Sequence, residues 1–94
     1  MKRRVDLNQS SIVRDLRKAG AVVWILSDLG HVPDLLVGFR GHTFLLEIKN
    51  KAGRGVKLTD AEQEFFDTWC GGPAKMITNI DEALELLNDC TLTT

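Results

Sequence analysis

A two-residue alternation that runs from Asp34 to Lys49 and folds back on itself is the strongest constraint in this sequence. Successive side chains on a strand point to opposite faces. With Arg40-Gly41 as a two-residue loop, Asp34–Phe39 and His42–Lys49 become the arms of a hairpin. Phe39 then faces His42, and Asp34 faces Glu47. Leu35, Val37, Phe39, Phe44, Leu46 and Ile48 share one face, and all are apolar. Asp34, Leu36, Gly38, Thr43, Leu45, Glu47 and Lys49 share the other. One side of the hairpin is therefore core, and the other gathers two carboxylates and an ammonium at its open end. A slip of one residue would send Asp34 to the opposite face.

The flanking segments supply the rest of an α/β domain. A helix is predicted over Gln9 to Ala19, with Asn8 or Ser10 as its cap and Gly20 as its stop. Ile12, Leu16 and Ala19 fall on its inner face with Val13 beside them, and Arg14, Asp15, Arg17 and Lys18 face water. Ala21 to Leu26 is apolar and rich in β-branched residues, as a strand requires. Ser27 to Pro33 is a loop, and Asn50 to Lys57 a basic, glycine-containing one. Thr59-Asp60-Ala61-Glu62 has the form of a capping box and opens a helix to about Trp69. A turn over Cys70 to Pro73, a strand over Ala74 to Thr78, and a helix from Ile80 to about Leu87, capped by Asn79, complete the order α-β-β-β-α-β-α. Ala83, Leu84 and Leu87 lie on the inner side of that last helix, and Trp24 and Trp69 are expected in the core.

Length sets the domain count. Ninety-four residues suit one domain spanning 1–94, able to form a single modest core. Cys70 and Cys90 have no zinc-site spacing and read as free thiols that pack like small apolar groups. No apolar run is long enough to span a membrane, and no apolar signal core follows Met1-Lys2-Arg3-Arg4, so a cytoplasmic protein is expected. A net charge of -1 conceals an asymmetry: eleven of the twelve Lys and Arg residues precede position 58, and eight of the thirteen Asp and Glu residues follow it. The front of the chain thus suits an anionic partner such as nucleic acid, although solvated surface explains the same charges.

Two acids set face to face need a reason, since like charges opposed across strands destabilise a sheet. A divalent cation between Asp34 and Glu47 would supply one. Oxygen ligands suit Mg²⁺ or Mn²⁺ and leave coordination positions for water and phosphate, with the backbone carbonyl of Ile48 as a further ligand. Lys49 points the same way as Glu47 and can orient an attacking water or stabilise charge on phosphate. The competing explanation is a surface salt bridge in which Lys49 neutralises both acids for roughly 0–1 kcal/mol.

Further residues carry the resemblance that separates these readings. Gly30-His31-Val32-Pro33-Asp34-Leu35-Leu36-Val37-Gly38, Gly41, and then Leu45-Leu46-Glu47-Ile48-Lys49 resemble the PD-(D/E)xK nuclease signature. The chain is similar in particular to the virus-type replication-repair nuclease (VRR-NUC) family. Leu58-Thr59 followed by Glu62, Phe65 and Trp69 resembles that family's next helix, and Asn8-Gln9, Ile12-Val13 and Leu16-Arg17 its first.

The resemblance implies a restriction-endonuclease-like core, a mixed central sheet flanked by helices. It implies Mg²⁺- or Mn²⁺-dependent hydrolysis of DNA phosphodiesters, with Asp34 and Glu47 as metal ligands and Lys49 as the catalytic lysine. Stand-alone viral and bacterial members are similar to homodimeric Holliday-junction resolvases, which makes a phage-type enzyme acting on four-way junctions the expectation. Where many such enzymes carry a glutamate on the first helix, this chain has Gln9, with Asp15 further along on the outer face.

Arg40, Lys51, Arg54 and Lys57, with Lys2 to Arg4, are the expected phosphate contacts. Glu62 divides between helix cap and site, with Gln63 a weaker candidate. His31 divides between a phosphate contact and a solvated loop histidine. The rival activities are cleavage of flap, nicked or duplex DNA. The rivals from other classes are a non-catalytic DNA-binding module and a pure interaction domain.

Overall fold

The computed structural model describes residues 7–50 and 57–92. The elements follow the expected order: α1 (Leu7–Lys18), β1 (Val22–Ile25), a 3-10 turn (Ser27–Leu29), β2 (Leu35–Phe39), β3 (His42–Ile48), α2 (Asp60–Thr68), β4 (Ala74–Ile77) and α3 (Ile80–Leu92). The strands form one four-stranded sheet in the order β1-β2-β3-β4. Its first three strands are antiparallel, and β4 runs parallel to β3, so the sheet is mixed. A parallel neighbour requires a crossover, and α2 lies on that connection.

The hairpin has the register its alternation demands. Phe39 pairs with His42 and Leu35 with Leu46. Arg40 (φ 51°) and Gly41 (φ 83°) both adopt positive φ. A type I′ loop needs this at both central positions, and its twist matches that of the strands. The Arg40 guanidinium lies 5.0 Å over the Phe39 ring.

Leu35, Val37, Phe44, Leu46 and Ile48 are buried on one face of the sheet. Ile12, Val13 and Leu16 of α1, Val23 of β1, Ile77 of β4, and Ala83 and Leu87 of α3 complete the same core. By contrast, α2 contains no buried residue. Its start is secured locally: the Thr59 side chain accepts from Glu62 N at 3.2 Å, and Glu62 Oε1 accepts from Thr59 N at 2.8 Å. Asn79 caps α3 by accepting from Glu82 N at 2.8 Å.

Several expectations are corrected. Trp24 is 65% exposed and Trp69 is 44% exposed, so neither is core. Trp24 sits with Val22 on the face of an edge strand opposite buried Val23. Trp69 ends α2, stacks on Phe65 at 5.2 Å between centroids, and donates from Nε1 to the Gly72 carbonyl at 2.7 Å. Cys70 is exposed, whereas Cys90 is partly buried against the core.

Asn8 and Ser10 lie inside α1 and do not cap it; the Asn8 amide instead donates to the Thr78 carbonyl at 3.2 Å. Ala19 falls beyond the end of α1 and is exposed. The final helix continues five residues past Leu87, because Cys90 adds a contact with the core beyond the last leucine expected to face it.

Candidate active site

The two acids meet where the hairpin opens. Asp34 immediately precedes β2, and its carbonyl accepts from Leu26 N at 2.7 Å, which closes the connection from β1. Extending the register past Leu35 and Leu46 sets Asp34 opposite Glu47 and Pro33 opposite Ile48. Proline has no N–H to offer the Ile48 carbonyl. The Ile48 N–H itself donates to Asp34 Oδ2 at 2.9 Å. Local chain chemistry therefore orients the Asp34 carboxylate and leaves the Ile48 carbonyl without an amide donor from the strand opposite.

Ser27, on the 3-10 turn, supports the other oxygen. Its Oγ stands 3.3 Å from Asp34 Oδ1 and 3.1 Å from Gln9 Oε1. A hydroxyl has one proton and donates to one of them at a time. With the Gln9 amide rotated by 180°, Nε2 donates to Ser27 Oγ and the hydroxyl proton is left for Asp34. Gln9 is buried in the first turn of α1. It therefore reaches Asp34 through Ser27.

Glu47 is only 4% exposed although it is an acid. Burial, then the charge of Asp34, then a hydrogen bond with Glu62 and that residue's charge push its pKa up to about 8, against an opposing pull from Lys49. Lys49 continues β3, with its N–H donating to the Ile77 carbonyl at 3.0 Å. Its ammonium stands 2.7 Å from Glu62 Oε1 and 3.8 Å from Glu47 Oε2. Burial alone would raise the Glu62 pKa, but hydrogen bonds from Lys49 and the Thr59 N–H outweigh it and hold the carboxyl below its ordinary value. Glu62 thus caps α2 and binds the lysine at once, so the two roles weighed for it are not exclusive.

This donor set fits a hard divalent cation. Burial first, and the charge of Asp34 second, raise the Glu47 pKa, and an added positive charge would oppose both. Each Asp34 oxygen accepts one hydrogen bond and keeps a lone pair. Among the described residues no group of three or more His, Cys, Asp or Glu side chains is placed to hold a metal ion. A cation here would rest on Asp34, Glu47 and the Ile48 carbonyl, with water and substrate oxygens completing its shell, as is usual for Mg²⁺.

Other candidates lie elsewhere. Arg40 is at the hairpin tip, roughly 20 Å from the open end at about 3.4 Å per residue. His31 (φ 61°) is exposed and borders a depression with Ala61, Glu64, Phe65 and Thr68 of α2. Gln63 donates to Asp67 Oδ1 at 2.9 Å on the exposed side of α2. Asp15 pairs with Arg14 at 3.3 Å. Lys57 is exposed ahead of α2, whereas Lys51, Arg54 and Lys2 to Arg4 lie outside the described residues. Sequence reasoning missed Ser27, which stands in an irregular connection where no periodicity marks a hydroxyl.

A scan of family models, a search of curated proteins and a search of solved structures each found no match.

Proposed function

We propose that this chain is a Mg²⁺- or Mn²⁺-dependent endodeoxyribonuclease with a PD-(D/E)xK core of the VRR-NUC kind. In this reading it acts on branched DNA, four-way junctions foremost, as a cytoplasmic homodimer (in the host cytoplasm if viral). One observation carries the reading: buried Glu47 lies opposite Asp34 with Lys49 alongside. Binding DNA needs cations, and a module that only binds gains nothing from two opposed acids.

Asp34, Glu47 and the Ile48 carbonyl would hold the metal. When bound, it lowers the pKa of a coordinated water and polarises the phosphoryl oxygen. Asp34 is aimed by the Ile48 N–H and Ser27. Glu47 is fixed by its place on a central strand. Lys49 has three N–H donors. Glu62 engages one at 2.7 Å, which fixes the ammonium and leaves a donor for the attacking water or a phosphate oxygen. Arg40, Lys51, Arg54 and Lys57 would contact phosphates. A two-fold dimer would present two such sites to the opposed strands of a junction.

The test is cleavage of labelled four-way junction, flap, nicked and plain duplex substrates with Mg²⁺, Mn²⁺ or EDTA. Metal-dependent cuts concentrated on the junction are expected. Equal cutting of flap or duplex would move the assignment to those substrates. No cutting of any substrate with either metal would remove the nuclease reading.

A further inference from the structure

Helix α1 carries a basic surface that the proposed chemistry does not use. Residues four apart on a helix lie one above the other, so Gln9, Val13 and Arg17 form one row and Ser10, Arg14 and Lys18 the adjacent row. These six, with Ile25 of β1, line a groove of about 570 Å³ between helix and strand. Gln9 and Lys18 are nine positions apart, about 14 Å along the helix axis. That length suits several nucleotides of one strand, at about 3.4 Å of rise each.

Both ends of the groove are informative. The Gln9 end reaches the site through one residue, because Ser27 Oγ stands within hydrogen-bond distance of both Gln9 and Asp34. Arg14, Arg17 and Lys18 lie at its middle and far end. Arg17 is braced across it by donating from Nη2 to the Val23 carbonyl at 2.8 Å. Arg14 is exposed and engaged by Asp15 Oδ1 at 3.3 Å and Ser11 Oγ at 3.4 Å, surface contacts that a phosphate readily replaces. Against these three cations α1 carries one acid, Asp15, and β1 none; Asp60, Glu62, Glu64 and Asp67 stand on α2, and Asp81, Glu82, Glu85 and Asp89 on α3. Among the described residues three of the seven Lys and Arg side chains, Arg14, Arg17 and Lys18, thus lie on α1, the helix whose first turn carries Gln9.

We infer that the groove between α1 and β1 holds the sugar-phosphate backbone of the DNA strand entering the Asp34–Glu47 site, with Arg14, Arg17 and Lys18 as its phosphate contacts. The inference rests on the nuclease reading for the identity of the strand. Its test is read from binding, so the two fail separately.

The experiment measures affinity of the full chain for a fluorescein-labelled four-way junction in EDTA, over a series of salt concentrations. Wild type is compared with Arg14→Ala, Lys18→Ala and Lys75→Ala. Lys75 is an exposed residue on β4, and its loss changes net charge by the same amount. Each phosphate contact removed should lower the slope of log affinity against log salt by about one unit. The expected result is that loss for Arg14→Ala and for Lys18→Ala, and an unchanged slope for Lys75→Ala. Unchanged slopes in all three, equal losses in all three, or no binding by wild type would overturn the inference. Loss confined to the groove variants in a protein that never cleaves would uphold the groove and remove the nuclease reading. Cleavage with unchanged slopes would do the reverse.

Discussion

Replacing Glu47 with glutamine should change how stability depends on pH. In the folded chain the Glu47 pKa stands at about 8, against an ordinary 4.5. Between those values the folded state keeps a proton that the unfolded chain has released, so stability falls as pH rises. The contribution is fully present below about pH 4.5 and gone above about pH 8. A displacement of roughly 3.5 pH units at about 1.36 kcal/mol each sets a ceiling near 5 kcal/mol. That is as large as the whole stability of many small domains.

Asp34, Lys49 and Glu62 are the charged groups facing Glu47. Glu62, whose pKa is lowered, stabilises above its ordinary value and loses that contribution only as pH falls through its folded pKa, on the acid side of the window. Urea melts of wild type and Glu47→Gln at pH 5.5 and pH 8 provide the assay. Wild type should lose a few kcal/mol between them. The variant should lose much less and be the more stable protein at pH 8. A wild-type stability that is flat or rises across this interval would rule out a raised Glu47 pKa, as would an equally steep decline in Glu47→Gln.

Added Mn²⁺ should raise the melting temperature more at pH 8 than at pH 5.5, because it binds Glu47 once that carboxyl has lost its proton; Asp34→Asn should remove that difference, and differential scanning fluorimetry measures it. Glutamine at position 62 can still cap α2, so Glu62→Gln should leave stability within about 0.5 kcal/mol yet lower kcat for DNA cleavage roughly tenfold or more by freeing Lys49. Phe44→Ala, at a fully buried position, should cost about 3–5 kcal/mol in a denaturant melt, whereas Trp24→Ser should stay within about 1 kcal/mol because that ring is 65% exposed.

The hairpin was legible because three constraints agree on one register: alternation on two arms, a two-residue loop with glycine in it, and an apolar face that a slip would expose. From that register the opposition of Asp34 and Glu47 follows without coordinates. The α2 cap was legible for a related reason, since a capping box is a local contact four residues wide. Trp24 was misplaced because Val22-Val23-Trp24-Ile25 is apolar on both faces, and composition does not say that only Val23 faces the helices. The double duty of Glu62 was hidden because Lys49 lies thirteen residues away and the crossover brings them together. Gln9 was expected at the site from resemblance. Its route there, through Ser27, depends on where a 3-10 turn delivers one hydroxyl, and no residue pattern encodes that.

Cleavage of a labelled four-way junction in Mg²⁺, by wild type beside Asp34→Ala and Lys49→Ala at protein concentrations that saturate binding, decides whether Asp34, Glu47 and Lys49 form an active site. Wild type should make metal-dependent cuts, and neither variant should cut while both remain folded and bound. Cutting by either variant at the wild-type rate would contradict that assignment.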